Sequence, residues 1–334
     1  MTVSTPDVSI IIAAFNAAGT IERAIASALG QEDVSLEVIV IDDCSTDGTR
    51  TVVAGFEDPR LRFVPLRENL GPGGARNAGI DIAEGRWIAI LDADDTMRPD
   101  RLAHMIDKAE AGSAEIAVDN LAVVTADGNS RAMFDELDLA TLPFLTLADF
   151  IGSNVLFRAE YNFGYMKPVF LKRFLNDHGL RFDESLRIGE DYMLLASALA
   201  VGGECVVCPG VGYLYSVTEG SISRALEVHH VEAMLAADAT FLRRYRLDRK
   251  AFAAQHLRHR SLRQARSFLT LVDQLKRRSY TGALCTAILD PTALRHLRMP
   301  IAVRLRRLIS AKGRPSGTPS KRHNPANGPH ASKG

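Results

Sequence analysis

The run Ile88-Ala89-Ile90-Leu91-Asp92-Ala93-Asp94-Asp95 sets four apolar residues directly against three carboxylates within four positions. A short, unbroken apolar run of this kind reads as a strand covered on both faces, as in a parallel sheet. Two earlier runs share the form. Val8-Ser9-Ile10-Ile11-Ile12-Ala13-Ala14-Phe15-Asn16 ends at Asn16, and Leu36-Glu37-Val38-Ile39-Val40-Ile41 ends at Asp42-Asp43. Between them, residues 19–30 place Ile21, Ala24, Ile25 and Ala28 on one helical face, with Gly30 as the stop. Ser45-Thr46-Asp47-Gly48 makes a turn that can cap a helix from Thr49. Arg62-Phe63-Val64-Pro65 reads as a short third strand, and Gly71 to Gly79 as a glycine-rich loop entering a helix. This alternation of strand and helix predicts an α/β fold around a mostly parallel central sheet with right-handed crossovers.

Ligands of such sheets collect at the carboxyl ends of the strands. Here three strands deliver Asn16, Asp42-Asp43 and Asp92-Ala93-Asp94 to one edge. Crowded carboxylates repel one another unless a cation lies between them, so the pattern calls for a divalent metal. Hard oxygen donors suit Mg²⁺ or Mn²⁺ better than Zn²⁺. Any one motif also reads as a solvated acidic turn; the convergence of three favours a site.

The rest of the chain is less sharply patterned. Glu115–Val118 and Ala122–Val124 look like strands, as do Val206-Val207 and Tyr213-Leu214-Tyr215. Gly189-Glu190-Asp191 leads into a helix from Tyr192 to Val201, so Asp191 stands where an N-cap is expected. Cys205 and Cys208 have metal-ligand spacing but no second pair, which favours two buried thiols in a strand. From about His229 the chain turns helical and basic, with Leu262, Ala265, Leu269, Val272 and Leu275 as an apolar stripe. The composition of residues 312–334 predicts disorder.

A formal net charge of zero conceals a polarity. Residues 1–240 carry 18 Lys+Arg against 37 Asp+Glu, whereas residues 241–334 carry 22 against 3. The basic end suits an anionic surface or folds back on the acidic body. Between Arg298 and Arg307 arginines alternate with apolar residues and no aromatics, which points to a membrane surface and away from nucleic acid. No apolar span approaches 18 residues, and Ile10-Ile11-Ile12 is too short for a signal peptide. The expectation is cytoplasmic residence, with peripheral contact on the inner face of the plasma membrane.

Taken together, the motifs resemble those of family 2 glycosyltransferases of the GT-A type. The likeness is carried by Val8 to Asn16, by Val38-Ile39-Val40-Ile41-Asp42-Asp43-Cys44-Ser45-Thr46-Asp47-Gly48-Thr49, and by Asn69 to Gly79 leading to Asp92-Ala93-Asp94-Asp95. It is close over about the first 110 residues and loose to about residue 225. It implies a GT-A nucleotide-sugar-binding domain over 1–228, with a nucleotide-binding half (1–110) and an acceptor half (111–228). A basic helical extension (229–311) and a disordered tail (312–334) would complete the chain. The resemblance further implies an inverting hexosyltransferase of exopolysaccharide biosynthesis, of the kind that assembles succinoglycan. Such an enzyme moves glucose from UDP-glucose to a polysaccharide or lipid-linked oligosaccharide.

The resemblance also assigns roles. Ala13, Phe15 and Asn16 would lie beneath the uridine, and Asp43, with Asp42 beside it, would accept the uracil N3–H. Arg76 would contact phosphate or ribose. Asp94 would be the main ligand of Mn²⁺ or Mg²⁺, and Asp92 would contact metal or ribose. Asp95 would orient the sugar or cap the segment after it. Asp191 would be the base that deprotonates the acceptor hydroxyl, with Glu190 holding the acceptor. One departure stands out: Tyr215 to Arg224 keeps Ser221-Ile222-Ser223 but lacks the histidine many relatives carry, which leaves Arg224 as a substitute cation. Two other readings compete. Asp92-Ala93-Asp94-Asp95-Thr96 also fits a haloacid-dehalogenase-like phosphatase with Asp92 as nucleophile, although Asp42-Asp43 then has no role. A catalytically silent transferase-like binding module is the other, and the candidate base argues against it.

Overall fold

The computed structural model describes residues 5–125, 127–158, 161–217, 226–291 and 294. Four parallel strands form its first half: β1 (Val8–Ala14), β2 (Leu36–Asp42), β3 (Leu61–Pro65) and β4 (Trp87–Asp92), in the order β3-β2-β1-β4. They are joined through α1 (Ile21–Leu29), α2 (Thr49–Ala54) and α3 (Gly71–Ile82). Helices cover the sheet, so β1, β2 and β4 are buried almost throughout and their sequences are continuously apolar.

The sequence Gly71 to Gly79, expected as a loop, is helix from its first residue. The reason lies across the sheet edge. Asp43 accepts the backbone N–H groups of Leu70 (2.7 Å) and Gly71 (2.9 Å), supplying the acceptors that a helix start lacks. Gly71 has φ +78°, and a Cβ there would collide with the Arg187 guanidinium.

The second half runs through β5 (Thr96–Met97), α4 (Arg101–Ala111), β6 (Ile116–Val124), β7 (Ser130–Ala132), α5 (Glu136–Ala140), α6 (Leu147–Ser153), β8 (Val169–Leu171), α7 (Lys172–Asp177), α8 (Glu190–Ala200) and β9 (Cys205–Ser216). Strand β8 lies antiparallel between β4 and β6, and the sheet continues to β9 and β5. Two expected breaks are not there. Residues 116–124 form one strand because the polar pair inside it is satisfied. Asp119 binds Arg101, and the Asn120 side chain bridges the backbone of Phe134. Residues 205–216 also form one strand, with an irregular register against Asp119-Asn120 where Pro209 and Gly210 are passed over.

Three further helices complete the described chain: α9 (Val228–Arg244), α10 (Arg249–Lys276) and α11 (Tyr280–Leu289). They pack back on the body, with Phe241, Ala237 and Ala254 buried in the main core. Arg258 of α10 is buried against Asp238 of α9 (3.2 Å) and donates to the Asn154 carbonyl (3.3 Å). Its guanidinium lies 3.6 Å from the ring centroid of Tyr192 in α8, and that ring stacks on Phe150. The start of the basic stretch thus buttresses the helix that carries Glu190-Asp191. Among the described residues no helix is long and apolar enough to cross a membrane. Ser221-Ile222-Ser223, Arg224, Arg298 to Arg307 and the tail 312–334 lie outside the described residues.

Candidate active site

Five charged side chains meet beyond the carboxyl end of β4. Arg76, midway along α3, is buried and donates to Asp92 Oδ1 (2.6 Å), Glu190 Oε1 (2.8 Å) and Asp191 Oδ1 (2.8 Å). Lys167, just before β8, places its Nζ 2.8 Å from Asp92 Oδ2 and 2.6 Å from Asp191 Oδ2. Two cations therefore bridge three carboxylates drawn from two distant parts of the chain. Burial opposes the charge of Asp92, but Lys167 and Arg76 outweigh it and hold that carboxyl well below its ordinary range. For Glu190, burial wins: desolvation and the neighbouring Asp191 charge push its carboxyl upward.

Local structure fixes each participant. Gly189 takes φ +92°, a left-handed conformation that suits glycine and starts α8 sharply, with Met234 packed over it. The helix begins at Glu190, and Asp191 lies in its first turn. The expected capping role for Asp191 is thus not observed, and its carboxylate faces the two cations. The guanidinium of Arg76 also lies over the Phe182 ring, at 5.3 Å to the centroid. The Asn77 amide holds Phe182 by both its carbonyl (3.0 Å) and its N–H (2.9 Å). Behind Lys167, Arg101 donates to the Lys167 carbonyl (2.6 Å) and forms a buried pair with Asp119 (2.8 Å).

The second part of the site is the edge formed after β1 and β2. Asn16, at φ +51°, accepts the Thr46 N–H (2.8 Å) and donates its own to Ser45 (2.9 Å). This ties the two strand-end loops together and leaves Phe15, next to Asn16, 52% exposed. Asp43 is buried, and desolvation pushes its carboxyl up despite the two N–H groups it accepts. A carboxylate has about four acceptor positions, so it retains capacity for a further N–H. Asp42 is different. It is wholly buried, binding Arg50 (2.7 Å) and the Ser45 N–H (3.1 Å), so it shapes the turn and is not placed to touch a ligand.

The acidic cluster after β4 also divides. Asp94 is half-buried at the turn. Asp95 is buried, accepting from Tyr213 (2.8 Å) and from the Ser216 N–H (2.7 Å), which fastens β9 to the β4 end. Burial, with the charges of Asp92 and Asp94 adding to it, pushes the Asp95 carboxyl far upward. Its observed contacts are structural, holding Tyr213 and Ser216 of β9. Cys205 and Cys208 are buried free thiols in β9, the latter pushed up to about 11 by burial. Among the described residues no group of three or more His, Cys, Asp or Glu is arranged to hold a metal.

Lys167 is the site residue that the sequence did not reveal. Its only signal is a lone cation in the largely apolar stretch Tyr165-Met166-Lys167-Pro168-Val169-Phe170, in a region without clear periodicity. Only the insertion of β8 beside β4 brings it to Asp92.

Comparison with known proteins shows which family and fold the chain resembles. The family model described as "Glycosyl transferase family 2" matches residues 9–174, which include Arg76, Asp92 and Lys167. The succinoglycan biosynthesis protein ExoO of Rhizobium meliloti (strain 1021) is 62% identical over 320 residues, covering 96% of this chain and 92% of that protein. WfaP of Escherichia coli, a UDP-Glc:alpha-D-GlcNAc-diphosphoundecaprenol beta-1,3-glucosyltransferase, is 40% identical over 99 residues, 30% of this chain and 39% of its own. Among solved structures, S. aureus TarS 1–349 superposes with a TM-score of 0.63 at 22% identity, covering 84% of this chain and 79% of that one, a likeness of fold. Nothing in the geometry or the comparisons supports the phosphatase reading. Asp92 ends the fourth strand of the chain, and Asp43, which the phosphatase scheme leaves without a role, is built into the same sheet edge through Leu70 and Gly71.

Proposed function

The chain belongs to the family 2 glycosyltransferases, and on that premise we propose that it transfers glucose from UDP-glucose, with inversion, to a lipid-linked oligosaccharide of exopolysaccharide assembly. The observation that carries the proposal is the ion-paired cluster of Arg76, Lys167, Asp92, Glu190 and Asp191 beside the Asn16–Asp43 edge. ExoO supports the exopolysaccharide setting, and WfaP supports both UDP-glucose and a diphosphate-linked lipid acceptor.

In this reading the uridine rests on Ala13, Phe15 and Asn16, and Asp43 accepts the uracil N3–H. Arg76 and Lys167 set the electrostatics of the cluster, holding Asp92 and Asp191 in one arrangement. Asp191, which is more exposed than Glu190 or Arg76, removes the proton from the acceptor hydroxyl. Glu190 orients the acceptor from the first turn of the same helix.

Asp94 fits a divalent ion. Mg²⁺ and similar hard cations keep waters and need only one or two carboxylates together with substrate phosphates. The family resemblance gives Mn²⁺ or Mg²⁺ to Asp94 with Asp92 beside it, and in this reading Asp92 also anchors Arg76 and Lys167. When bound, the ion neutralises charge on the leaving diphosphate. The basic C-terminal region, Arg298 to Arg307 included, would bring the enzyme to an anionic membrane that carries the acceptor.

A thermal-shift panel tests the donor assignment. UDP, GDP, CMP, UDP-glucose, UDP-galactose and UDP-N-acetylglucosamine are compared with and without Mn²⁺. Ligands that bind the native state raise its apparent stability by mass action. The expected result is a metal-dependent rise for uridine compounds, largest for UDP-glucose, and none for GDP or CMP. An equal rise with GDP would remove Asp43 as the base reader.

A further inference from the structure

Helix α11 turns its apolar side outward. No residue from Tyr280 to Leu289 is charged. Tyr280, Leu284 and Ile288, one helical turn apart, are 68%, 62% and 68% exposed, and Leu289 beside them is 86% exposed. A helix stabilised by burying its apolar stripe shows the reverse pattern. What holds α11 down is its small side: Ala283 packs against Leu271 and Phe268 of α10, and Thr286 donates to Gln274 at 2.9 Å. The apolar stripe of α10 shares the trend, buried at Leu262 and Ala265 and 40% exposed by Leu275.

Beside this apolar face lies a groove of about 650 Å³ between α10 and α11. His256, His259, Arg260, Arg263 and Arg266 line it from α10, with Asp290 at the end of α11. The combination is an uncharged, outward-facing apolar helix next to three arginines, in the segment of the chain that carries 22 basic residues against 3 acidic ones.

We propose that α11 and the adjoining arginine groove form the surface by which the protein sits on an anionic phospholipid bilayer. Tyr280, Leu284, Ile288 and Leu289 enter the headgroup boundary, and Arg260, Arg263 and Arg266 pair with lipid phosphates. Ten residues make a helix of roughly 15 Å, enough to lie in the interface and too short to span it. Charge complementarity selects the anionic leaflet over a neutral one. Helix α10 links the groove to α8: Arg258, between the groove-lining His256 and Arg260, packs on Tyr192, the residue after Asp191. The inference deepens the lipid-linked acceptor reading and rests on it, but binding can be measured without turnover.

The test is co-sedimentation of the full chain with phosphatidylcholine vesicles, plain or doped with phosphatidylglycerol. Three proteins are compared: the wild type, Leu284→Glu/Ile288→Glu and Arg260→Gln/Arg263→Gln. All four positions are exposed, so the fold is retained, which circular dichroism checks. The wild type is expected to partition onto the anionic vesicles, and each variant to lose about tenfold or more, one through lost apolar insertion and added negative charge and the other through lost basic charge. Transfer to a soluble acceptor should be unchanged in both variants. Its loss in the wild type would instead count against the proposed function. Wild-type partitioning in the Leu284→Glu/Ile288→Glu protein overturns the assignment, as does a wild type that ignores anionic vesicles. So does a variant that loses only self-association in sedimentation velocity, which would make the face a contact between copies.

Discussion

Replacing Asp191 with Asn is expected to leave UDP binding intact and to lower the transfer rate by about 10²- to 10⁴-fold, the usual range for a lost general base. The carboxamide keeps the shape of the carboxylate but cannot take up the acceptor proton. Its oxygen still accepts from Arg76 or Lys167, so the first turn of α8 stays in place. The effect should therefore fall on kcat, with the donor KM little changed. The neighbouring Glu190→Gln change is the internal comparison. Glu190 contacts Arg76 alone of the two cations, is more deeply buried than Asp191, and is assigned to holding the acceptor, so its loss should raise the acceptor KM. Steady-state UDP release with saturating donor separates the two. Retained turnover in the Asn variant would remove Asp191 as the base.

The largest loss of stability is expected from Arg76→Met. Arg76 is buried and compensates Asp92, Glu190 and Asp191 at once. Removing one partner of a buried ionic cluster leaves uncompensated charge, at a cost of about 3–5 kcal/mol. Lys167 relieves Asp92 and Asp191 but does not reach Glu190 among its ion pairs, so compensation is incomplete. Arg60→Gln is the contrast. The Arg60–Asp58 pair is at the surface with similar geometry (2.8 Å) and should change stability by about 1 kcal/mol or less. Urea unfolding of both variants reads the difference directly. Equal midpoints would mean that the buried cluster contributes nothing beyond a surface pair.

How much of this was legible in the sequence varies by element. Strands β1, β2 and β4 announced themselves because a strand covered on both faces must be apolar throughout, and their polar ends marked the ligand edge. The resemblance gave the base-reading role to Asp43 but kept Asp42 beside it as a second binding residue, whereas the structure buries Asp42 in the turn. Which of two adjacent carboxylates faces inward depends on partners such as Arg50, Leu70 and Gly71 on other elements. Asp95 was similarly ambiguous until Tyr213 arrived from β9, 118 residues further along the chain. Lys167 stayed hidden because β8 is three residues long and joins the sheet antiparallel beside β4, a non-local pairing that local periodicity does not encode. The helical character of Gly71 to Gly79 was masked by its glycines, whose low helix propensity is overridden by the Asp43 carboxylate at the helix start. The described part of the basic extension is helical as expected, yet the burial of Arg258 beneath Tyr192 needed the fold to be seen.

The most direct test of the mechanism is product analysis with purified protein, Mn²⁺, UDP-glucose and a diphosphate-linked lipid acceptor. The expected result is one UDP released for each hexose attached, with the new linkage β by NMR, and turnover lowered at least about 10²-fold in the Asp191→Asn protein. Attachment with retained α configuration would contradict the inverting mechanism built on Asp191. Failure to attach a hexose from any uridine diphosphate sugar would contradict the proposed activity itself.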